Sequence, residues 1–356
     1  MFKSPITLLF LTFAVLISGC DNTESTKKPN ATGKLGSLVV VADANTLGAV
    51  GNTLSSVFLS PVPHLPAGEP YFEILKPDPK DFMRFYFNQK LVLVLVKPED
   101  AQFMPEILEP FSNQQIEELC NKRNAELKVV KDLFAINQHI VYLFGRDNND
   151  IAYKLNNFRE VVLTNLMKYE LDDQKSKMFS GSNKNDNYLK EMKKELGMTV
   201  RIPEMFTMKY HKQGFWWFEY NGMEEENAKT IALIMHSYKY KDTADFSYVS
   251  IRSARDSVVK YHIPGELKGS YMGTSESEYY PPRFIENMEI NKHFATRIRG
   301  WWNMWNMSMG GPFIRYVVHN QANDSLFAFE GFVYKPGANT KERDLRLIES
   351  IALTIQ

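Results

Sequence analysis

The sequence predicts an α+β fold of two mixed domains, the second of which is an antiparallel sheet covered by helices. Short runs of apolar and β-branched residues, typical of strands, occur among segments whose apolar residues recur every three to four positions. In the second half, groups of successive strands are separated by single helices, and this order favours antiparallel pairing. A polar stretch at 172–187 divides the chain, whose 356 residues suffice for about two domains.

The first half, residues 37–171, fits either an α/β or an α+β domain. Apolar runs predict strands at 38–42, 71–75, 91–96, 127–134 and 139–144. Apolar residues at helical spacing predict helices at 47–58, 82–87, 116–120 and 151–166. Ser112 and Gln115 form a capping box in front of the third helix, and Asp147 to Asp150 cap the fourth.

The second half, residues 188–356, is richer in strands. Apolar runs predict strands at 200–206, 215–220, 231–240, 288–298, 313–319 and 326–334. Helices are predicted at 189–196, 248–261 and 341–355, and Gly197 ends the first of them. Apolar and polar residues alternate along 288–298, so one face of that strand should meet solvent.

The N-terminus has the pattern of an export signal. Lys3 precedes an apolar run at 6–17 that is too short to span a bilayer. The sequence ISGC, which ends at Cys20, resembles the bacterial lipobox, in which a signal peptidase cuts before a lipidated cysteine. We therefore predict a signal peptide at 1–19, a lipid anchor at Cys20 and a flexible tether at 20–36. The protein is then exported and held on the periplasmic side of the inner or outer membrane, or at the cell surface. The alternative is an ordinary signal peptide with an incidental cysteine.

Composition and motifs exclude several classes of function. Basic and acidic residues number 42 each, which argues against a nucleic-acid partner bound through its phosphates. Two cysteines cannot build a disulfide framework or a cysteine-rich metal site, and no two of the seven histidines are spaced to share a metal locally. The sequence contains no metalloprotease, serine hydrolase or nucleotide-binding motif. We predict no catalytic residue, no metal and no cofactor, and we expect Cys120 to be a core residue.

A ligand-binding site is predicted where aromatic residues follow a strand with two arginines. Arg297, Arg299, Trp301 and Trp305 are the candidates, and the pair Gly310-Gly311 follows them. Tryptophan offers a large rigid contact area and arginine offers hydrogen bonds, a combination common at binding surfaces. The glycine pair would adopt positive φ and let the aromatic stretch fold back over an open cleft. The alternative is that these side chains fill the core between sheet and helix.

Glu330 is unusual because it lies within an apolar strand. A buried carboxylate needs a partner, and Arg315, Arg297 or Arg299 could supply one. Glu330 and Arg315 are therefore predicted as a buried ion pair. The alternative role for Glu330 is that of a catalytic acid.

Several short motifs stand out: PVPHLP at 61–66 with Glu69-Pro70 after it, Arg299-Gly300-Trp301, GGPF at 310–313, EGFVY at 330–334 and Arg343-Asp344. Together they resemble an uncharacterised lipoprotein family of the Bacteroidota, the domain-of-unknown-function family four-eight-three-seven. The resemblance would extend over nearly the whole mature chain, and it implies a lipid anchor but no known activity. The second half also resembles the PsbP-like α+β fold, whose members are mostly non-enzymatic accessory proteins.

Three tripeptides resemble the O-glycosylation motif of exported Bacteroidota proteins. They place candidate hydroxyls at Thr243 and Ser325, and a third at Ser257, which falls inside a predicted helix and is the weakest candidate.

Three functions agree with this sequence. The first is a non-catalytic lipoprotein that binds a partner protein or an envelope glycan, and the missing catalytic motifs favour it. The second is a hydrolase of cell-envelope polymers whose carboxylates are brought together by the fold. The third is a structural assembly factor held at the membrane.

Overall fold

The computed structural model describes residues 27–62, 65, 68–212, 214–224, 227–276 and 284–356. The predicted signal peptide at 1–19, the predicted anchor Cys20, and Pro63, His64 and Pro66 of the PVPHLP motif lie outside these residues. The described residues form one five-stranded and one eight-stranded sheet, each with its own helices, which confirms the predicted α+β class with two mixed domains.

The first sheet consists of β1 (Ser37–Val41), β2 (Glu73–Leu75), β3 (Leu91–Val96), β4 (Leu127–Lys131) and β5 (His139–Phe144). Its strand order is β2-β1-β3-β5-β4. Strands β2, β1, β3 and β5 pair in parallel, and the edge strand β4 is antiparallel to β5. A mostly parallel sheet of this kind makes the first domain α/β, one of the two classes that the sequence left open.

Helices cover both faces of the first sheet: α1 (Ala44–Ala49), α2 (Gly51–Phe58), α3 (Pro79–Asp81), α4 (Pro105–Leu108), α5 (Asn113–Cys120), α6 (Asn148–Asn157) and α7 (Arg159–Met178). A π-helical turn spans Phe82–Tyr86 and a 3-10 turn spans Pro98–Gln102. An apolar core on each face explains why the central strands are apolar at every position. The predicted capping box forms, with the Ser112 and Gln115 side chains each accepting the other residue's backbone N–H.

The second sheet consists of β6 (Thr207–Lys212), β7 (Phe215–Glu224), β8 (Asn227–Lys239), β9 (Tyr271–Ser275), β10 (Phe284–Ile290), β11 (His293–Trp305), β12 (Met309–Asn320) and β13 (Ser325–Tyr334). The strand order is β10-β11-β12-β13-β8-β7-β6, and β9 pairs with the C-terminal part of β11. Every one of these pairings is antiparallel, as predicted.

Three helices cover the second sheet: α8 (Leu189–Leu196), α9 (Tyr248–His262) and α10 (Lys341–Ala352). Helices α8 and α10 share an apolar core on one face, whereas α9 packs on the other face. Gly197 ends α8 with a φ of 76°, a left-handed conformation that glycine adopts without strain. Short 3-10 turns at Lys184–Tyr188 and Thr243–Phe246 precede α8 and α9.

The segment 200–206, predicted as a strand, is irregular. Val200, Ile202 and Phe206 are buried in the core between α8, α10 and the sheet, whereas Met205 is exposed. The side-chain amide of Asn185 donates to the carbonyl groups of Pro203 and Phe206 at 2.9 Å each, and these bonds replace sheet pairing. The apolar run therefore reflected burial, which periodicity alone cannot distinguish from a strand.

The single strand predicted at 288–298 is instead a hairpin between β10 and β11. Asn291 and Lys292 form its two-residue turn with φ values of 47° and 71°. Such turns usually contain Asn-Gly or Asp-Gly because both central residues need positive φ. Lysine at the second position removed that signal from the sequence.

Two segments predicted to lie outside the domains, the tether at 20–36 and the dividing stretch at 172–187, are partly structured. The N–H groups of Ala31 and Thr32 donate to the carbonyls of Ile136 and Asn88 at 2.8 Å each, so the predicted tether at 20–36 is attached to the first domain well before its end. Helix α7 continues into the predicted linker at 172–187, because aspartate, glutamine and lysine are acceptable helix formers despite their polarity.

Candidate functional site

The predicted site residues lie on one side of strand β11. Side chains alternate along a strand, so Arg297, Arg299, Trp301 and Trp305 point to the same face of the sheet. Trp302 points to the opposite face, where it is buried and its Nε1 donates to a backbone carbonyl at 3.2 Å. Trp302 therefore belongs to the core and not to the site.

Trp301 and Trp305 border an open depression of about 430 Å³ at the end of the β11–β12 hairpin. Trp305 is 48% exposed and Trp301 is half-buried, so neither residue is a core side chain. The rest of the lining mixes polar and apolar side chains: Asn303, Asn306, Ser308, Met304, Met307 and Met309. We call this site the tryptophan depression.

Glycines make room for both indoles. A Cβ atom on Gly273 would lie 2.6 Å from Nε1 of Trp305, and one on Gly310 would lie 3.0 Å from Nε1 of Trp301. A Cβ atom on Gly311 would lie 1.9 Å from a carbonyl oxygen of β13. Gly310 and Gly311 lie within strand β12 and neither has positive φ, so the prediction that they fold the chain back is wrong. Close approach of neighbouring atoms is the reason for these glycines.

Arg297 and Arg299 do not face an open cleft, contrary to the prediction, because α10 covers them. Arg299 is 6% exposed, and its guanidinium lies 3.0 Å from Glu342 and 2.9 Å from Glu349. Arg297 lies 2.8 Å from Glu349 and also pairs with Glu286 on β10. Both arginines are thus bound to carboxylates of the same chain.

Arg346 on α10 extends this set of ion pairs into the first domain. Its guanidinium lies 3.3 Å from Glu342 and 2.6 Å from Glu170 on α7. Glu170 also accepts the N–H of Gly36 at 2.6 Å. The interdomain charge network consists of Arg297, Arg299, Arg346, Glu170, Glu342 and Glu349. Its three arginines and three glutamates balance, so the network joins the two domains without a net charge.

The arginines control the protonation of this network. Burial alone would raise the pKa of Glu349, but Arg299 and Arg297 hold that pKa below its ordinary value. Glu342 and Glu349 in turn raise the pKa of Arg299 despite its burial. At the network's edge, burial raises the pKa of Glu69, although this carboxylate accepts the N–H of Glu342 at 2.7 Å.

A second cluster of buried charges lies on the opposite face of the sheet, beneath α9. Glu330 is fully buried, and it lies 2.8 Å from Arg255 and 3.1 Å from Arg315, its predicted partner. Arg315 and Glu330 face each other across β12 and β13. Arg315 also donates to Nε2 of His236 at 2.9 Å, and the guanidinium of Arg255 lies 4.0 Å from the ring centre of Phe313.

We call Arg255, Arg315, Glu330 and His236 the α9 charge cluster. Burial, followed by the charge of Arg315, lowers the pKa of His236 well below its ordinary value. A neutral imidazole is what the hydrogen bond requires, since Nε2 accepts from the guanidinium. Glu330 is enclosed by two guanidinium groups, an arrangement suited to a structural ion pair and not to an acid that must reach a substrate.

Among the described residues, one group of side chains could hold a metal ion. Glu191, Glu195 and His211 offer ligand atoms that all lie within 4.8 Å of one another. Glu195 already accepts from Nε1 of Trp216 at 3.0 Å and lies 2.8 Å from Nε2 of His211, so the group is also a satisfied hydrogen-bonded cluster. Cys120 is buried, and burial raises the pKa of its thiol to about 12.

The glycosylation candidates differ in accessibility. Thr243 is exposed at the start of a 3-10 turn. Ser325 is half-buried at the first position of β13. Ser257 is exposed on α9, and its hydroxyl donates to the carbonyl of Ser253 at 2.9 Å.

No helix in the described part of the chain is both long and apolar enough to cross a membrane. No curated protein matches the chain.

Solved structures resemble this chain only weakly. The Ran-binding protein Mog1p of Saccharomyces cerevisiae is 8% identical, with a TM-score of 0.31 over 45% of this chain and 89% of its own. LpqN, described as involved in cell envelope biogenesis of Mycobacterium tuberculosis, is 11% identical, with a TM-score of 0.26 over 45% of this chain and 82% of its own. A Bacteroides thetaiotaomicron protein is 11% identical, with a TM-score of 0.21 over 45% of this chain and 44% of its own. Such similarities define neither fold nor function.

Two family models match the chain, one in each half. The resemblance to family four-eight-three-seven is confirmed for the second half. It does not extend over the whole chain, because the motif at 61–70 falls within the residues that match the other family model. The PsbP-like resemblance stays a prediction. Residues 31–179 match the domain of unknown function DUF8532, and residues 185–354 match the domain of unknown function DUF4837.

Proposed function

We propose that this protein is a lipid-anchored lipoprotein of the bacterial cell envelope that binds an envelope glycan without catalysing a reaction. The lipobox-like sequence ending at Cys20 supports the anchor. The exposure of Trp305 beside an open depression is the observation that carries the binding role.

The chemistry of the tryptophan depression suits a sugar. An indole face is flat and apolar and matches the C–H face of a sugar ring, while the indole loses little conformational entropy on binding. The side-chain amides of Asn303 and Asn306 and the hydroxyl of Ser308 can exchange hydrogen bonds with sugar hydroxyls. Gly273 and Gly310 leave space for the two indoles, so the fold sets the positions of the indoles.

The alternative of a hydrolase has less support. Glycoside hydrolysis needs two carboxyl groups about 5 to 9.5 Å apart on either side of the substrate. The carboxylates of the interdomain charge network and of the α9 charge cluster are each bound to arginine. Neither cluster therefore provides an available acid and base.

Trp305→Ala tests the binding role. Binding to peptidoglycan sacculi and to lipid-free envelope polysaccharides should weaken at least tenfold, while the melting temperature changes little because the side chain is half exposed. Trp302→Ala is the matched control, since loss of this buried indole should cost about 3–5 kcal/mol of stability. Unchanged glycan binding in Trp305→Ala would rule out the site. If Trp305→Ala keeps glycan binding but loses a membrane protein that co-purifies with the wild type, the ligand is a protein partner.

Cys20→Ala tests the anchor. Two or three acyl chains hold a protein on a membrane far more firmly than one, so the variant should leave the membrane fraction or accumulate as an uncleaved precursor. Wild-type fractionation and migration of the variant would refute the anchor.

We further propose O-glycans at Thr243 and Ser325, and an intact mass equal to polypeptide plus lipid would exclude them.

A further inference from the structure

A cleft of about 1030 Å³ lies between the two domains. The first domain contributes residues 30–35, Lys90 before β3, and Lys177 near the end of α7. The second domain contributes Lys229 on β8 and Arg343 on α10. The cleft is distinct from the tryptophan depression, and nothing in its lining was singled out from the sequence as a binding residue.

The lining carries an excess of positive charge: Lys34, Lys90, Lys177, Lys229 and Arg343 against Asp173 and Asp344. Three of these cations have carboxylate partners in the chain. Lys229 lies 2.9 Å from Asp344, and Arg343 pairs with Glu73. Lys90 lies 3.9 Å from Glu170, and Asp173 is the remaining acid of the lining, so Lys34 and Lys177 leave the cleft with an excess of positive charge.

Lys90 is the most buried of these three lysines. It is 9% exposed, and its ammonium makes no hydrogen bond to another described residue. Its nearest carboxylate oxygen, on Glu170, is 3.9 Å away, and that carboxylate already binds Arg346 and the N–H of Gly36 at 2.6 Å each. Burial lowers the pKa of Lys90, because the ammonium loses solvation there. An ammonium in such a position is costly unless an anion completes its shell.

We infer that this cleft binds a ligand bearing a phosphate group, with Lys90 at the base and Lys34 and Lys177 at the exposed rim. Lysine ammonium groups bind phosphate as point charges, and a phosphate dianion gains more than a singly charged carboxylate from several nearby cations. Asn30, Thr32 and Gln174 add neutral side chains that can donate to phosphate oxygens. The cleft is larger than one phosphate needs, so it has room for the rest of a larger phosphorylated molecule.

The phosphate could belong to a soluble compound or to a phospholipid headgroup, and two probes distinguish these sources. The full mature chain carrying Cys20→Ala is titrated with glycerol 3-phosphate by calorimetry. It is also sedimented with phosphatidylglycerol vesicles, with phosphatidylcholine vesicles as the zwitterionic comparison. Binding of glycerol 3-phosphate identifies a soluble ligand. Binding to the anionic vesicles alone identifies a headgroup.

Variants assign the binding to the cleft. Lys90→Met and the double variant Lys34→Gln with Lys177→Gln should each weaken binding at least tenfold. Lys90→Met should keep or raise the melting temperature, because it removes a poorly solvated charge. The control is Lys193→Gln with Lys268→Gln, which removes two charges at exposed positions outside the cleft lining and should change binding less than twofold. Absence of binding to both probes, or equal weakening by the control pair, would overturn the inference.

Discussion

The two buried charge clusters lie on opposite faces of the same sheet and differ in how they are compensated. The interdomain charge network alternates three arginines with three glutamates, so that Arg299, Glu342, Glu349 and Arg346 each have two oppositely charged neighbours. The α9 charge cluster has two arginines around one buried carboxylate, Glu330. The first cluster joins two domains, whereas the second attaches α9 to its own sheet.

This difference teaches where each cluster is vulnerable. Removing one member of an alternating network leaves most of its neighbours with another charged partner. Removing Glu330 leaves Arg315 buried without a carboxylate and leaves Arg255 with only the partly exposed Asp256 at 3.3 Å, which is far more costly. The α9 charge cluster should therefore depend on one residue, and the interdomain network should tolerate single losses better.

Glu330→Gln should have the largest effect. We expect a loss of about 3–5 kcal/mol in the free energy of unfolding, measured by urea denaturation, because two buried guanidinium groups lose their shared carboxylate. Glu286→Gln is the control, since this partially exposed partner of Arg297 should cost less than about 1 kcal/mol. Similar losses in the two variants would mean that burial does not determine the cost.

Arg346→Met should have an intermediate effect. We expect a loss of about 2–3 kcal/mol, because Glu342 keeps Arg299 while Glu170 loses its closest partner. The variant should also separate the unfolding of the two domains, so that fluorescence from the tryptophans, which all lie in the second domain, and circular dichroism report different midpoints. A single shared transition would show that other contacts couple the domains.

Acidification should weaken the α9 charge cluster. Because the folded-state pKa of His236 lies below its ordinary value of 6.5, the unfolded chain binds a proton that the folded chain excludes. The free energy of unfolding should therefore fall as pH drops below about 6.5, by up to about 1.4 kcal/mol per pH unit. Arg315, Glu330, Tyr238 and His262 surround the imidazole or act on its charge.

His236→Gln provides the comparison for this pH dependence. Glutamine keeps an acceptor for Arg315 but does not titrate, so urea denaturation at pH 7.5 and pH 5.5 should show a smaller loss than in the wild type. An equal loss in both proteins would assign the acid sensitivity to other groups.

A single proteolytic cut between the two domains should have the smallest effect on the folded structure. We expect the first cut at the exposed residues 180–182, after α7. The two fragments should stay together on gel filtration, because the interdomain charge network lies away from the cut. In Arg346→Met the nicked fragments should separate more readily. Early cleavage elsewhere, with 180–182 protected, would argue against a domain boundary there.

Local signals predicted well where the structure is locally determined. The apolar strands β3 and β5, the capping box at Ser112 and the glycine end of α8 need no information from distant residues. The hairpin at 291–292 was not predicted, because its turn lacks the usual glycine. Pairing across layers is not visible in a linear pattern, so the roles of distant partners could not be derived.

Arg255 is the clearest residue that sequence reasoning missed. It lies on α9 among polar residues, and only the packing of that helix brings it to Glu330. The partners of Arg297 and Arg299 did leave a signal. Glu342, Arg346 and Glu349 recur at helical spacing on a helix whose apolar residues share the same buried face. Charges repeated on the apolar face of a helix are thus worth reading as a buried network.

The early attachment of the chain to the first domain limits how far the protein can reach. Residues 21–28 lie between the proposed anchor and the first backbone pairing at 29–32, and they number eight. A chain extends by at most about 3.5 Å per residue, so the nine steps from Cys20 to Pro29 place the start of the first domain within about 32 Å of the proposed anchor. The lysine-lined cleft starts at Asn30, next to this first pairing. With the proposed anchor, the spacer therefore sets how far the cleft can lie from the bilayer, and a longer spacer would change which molecules it can touch.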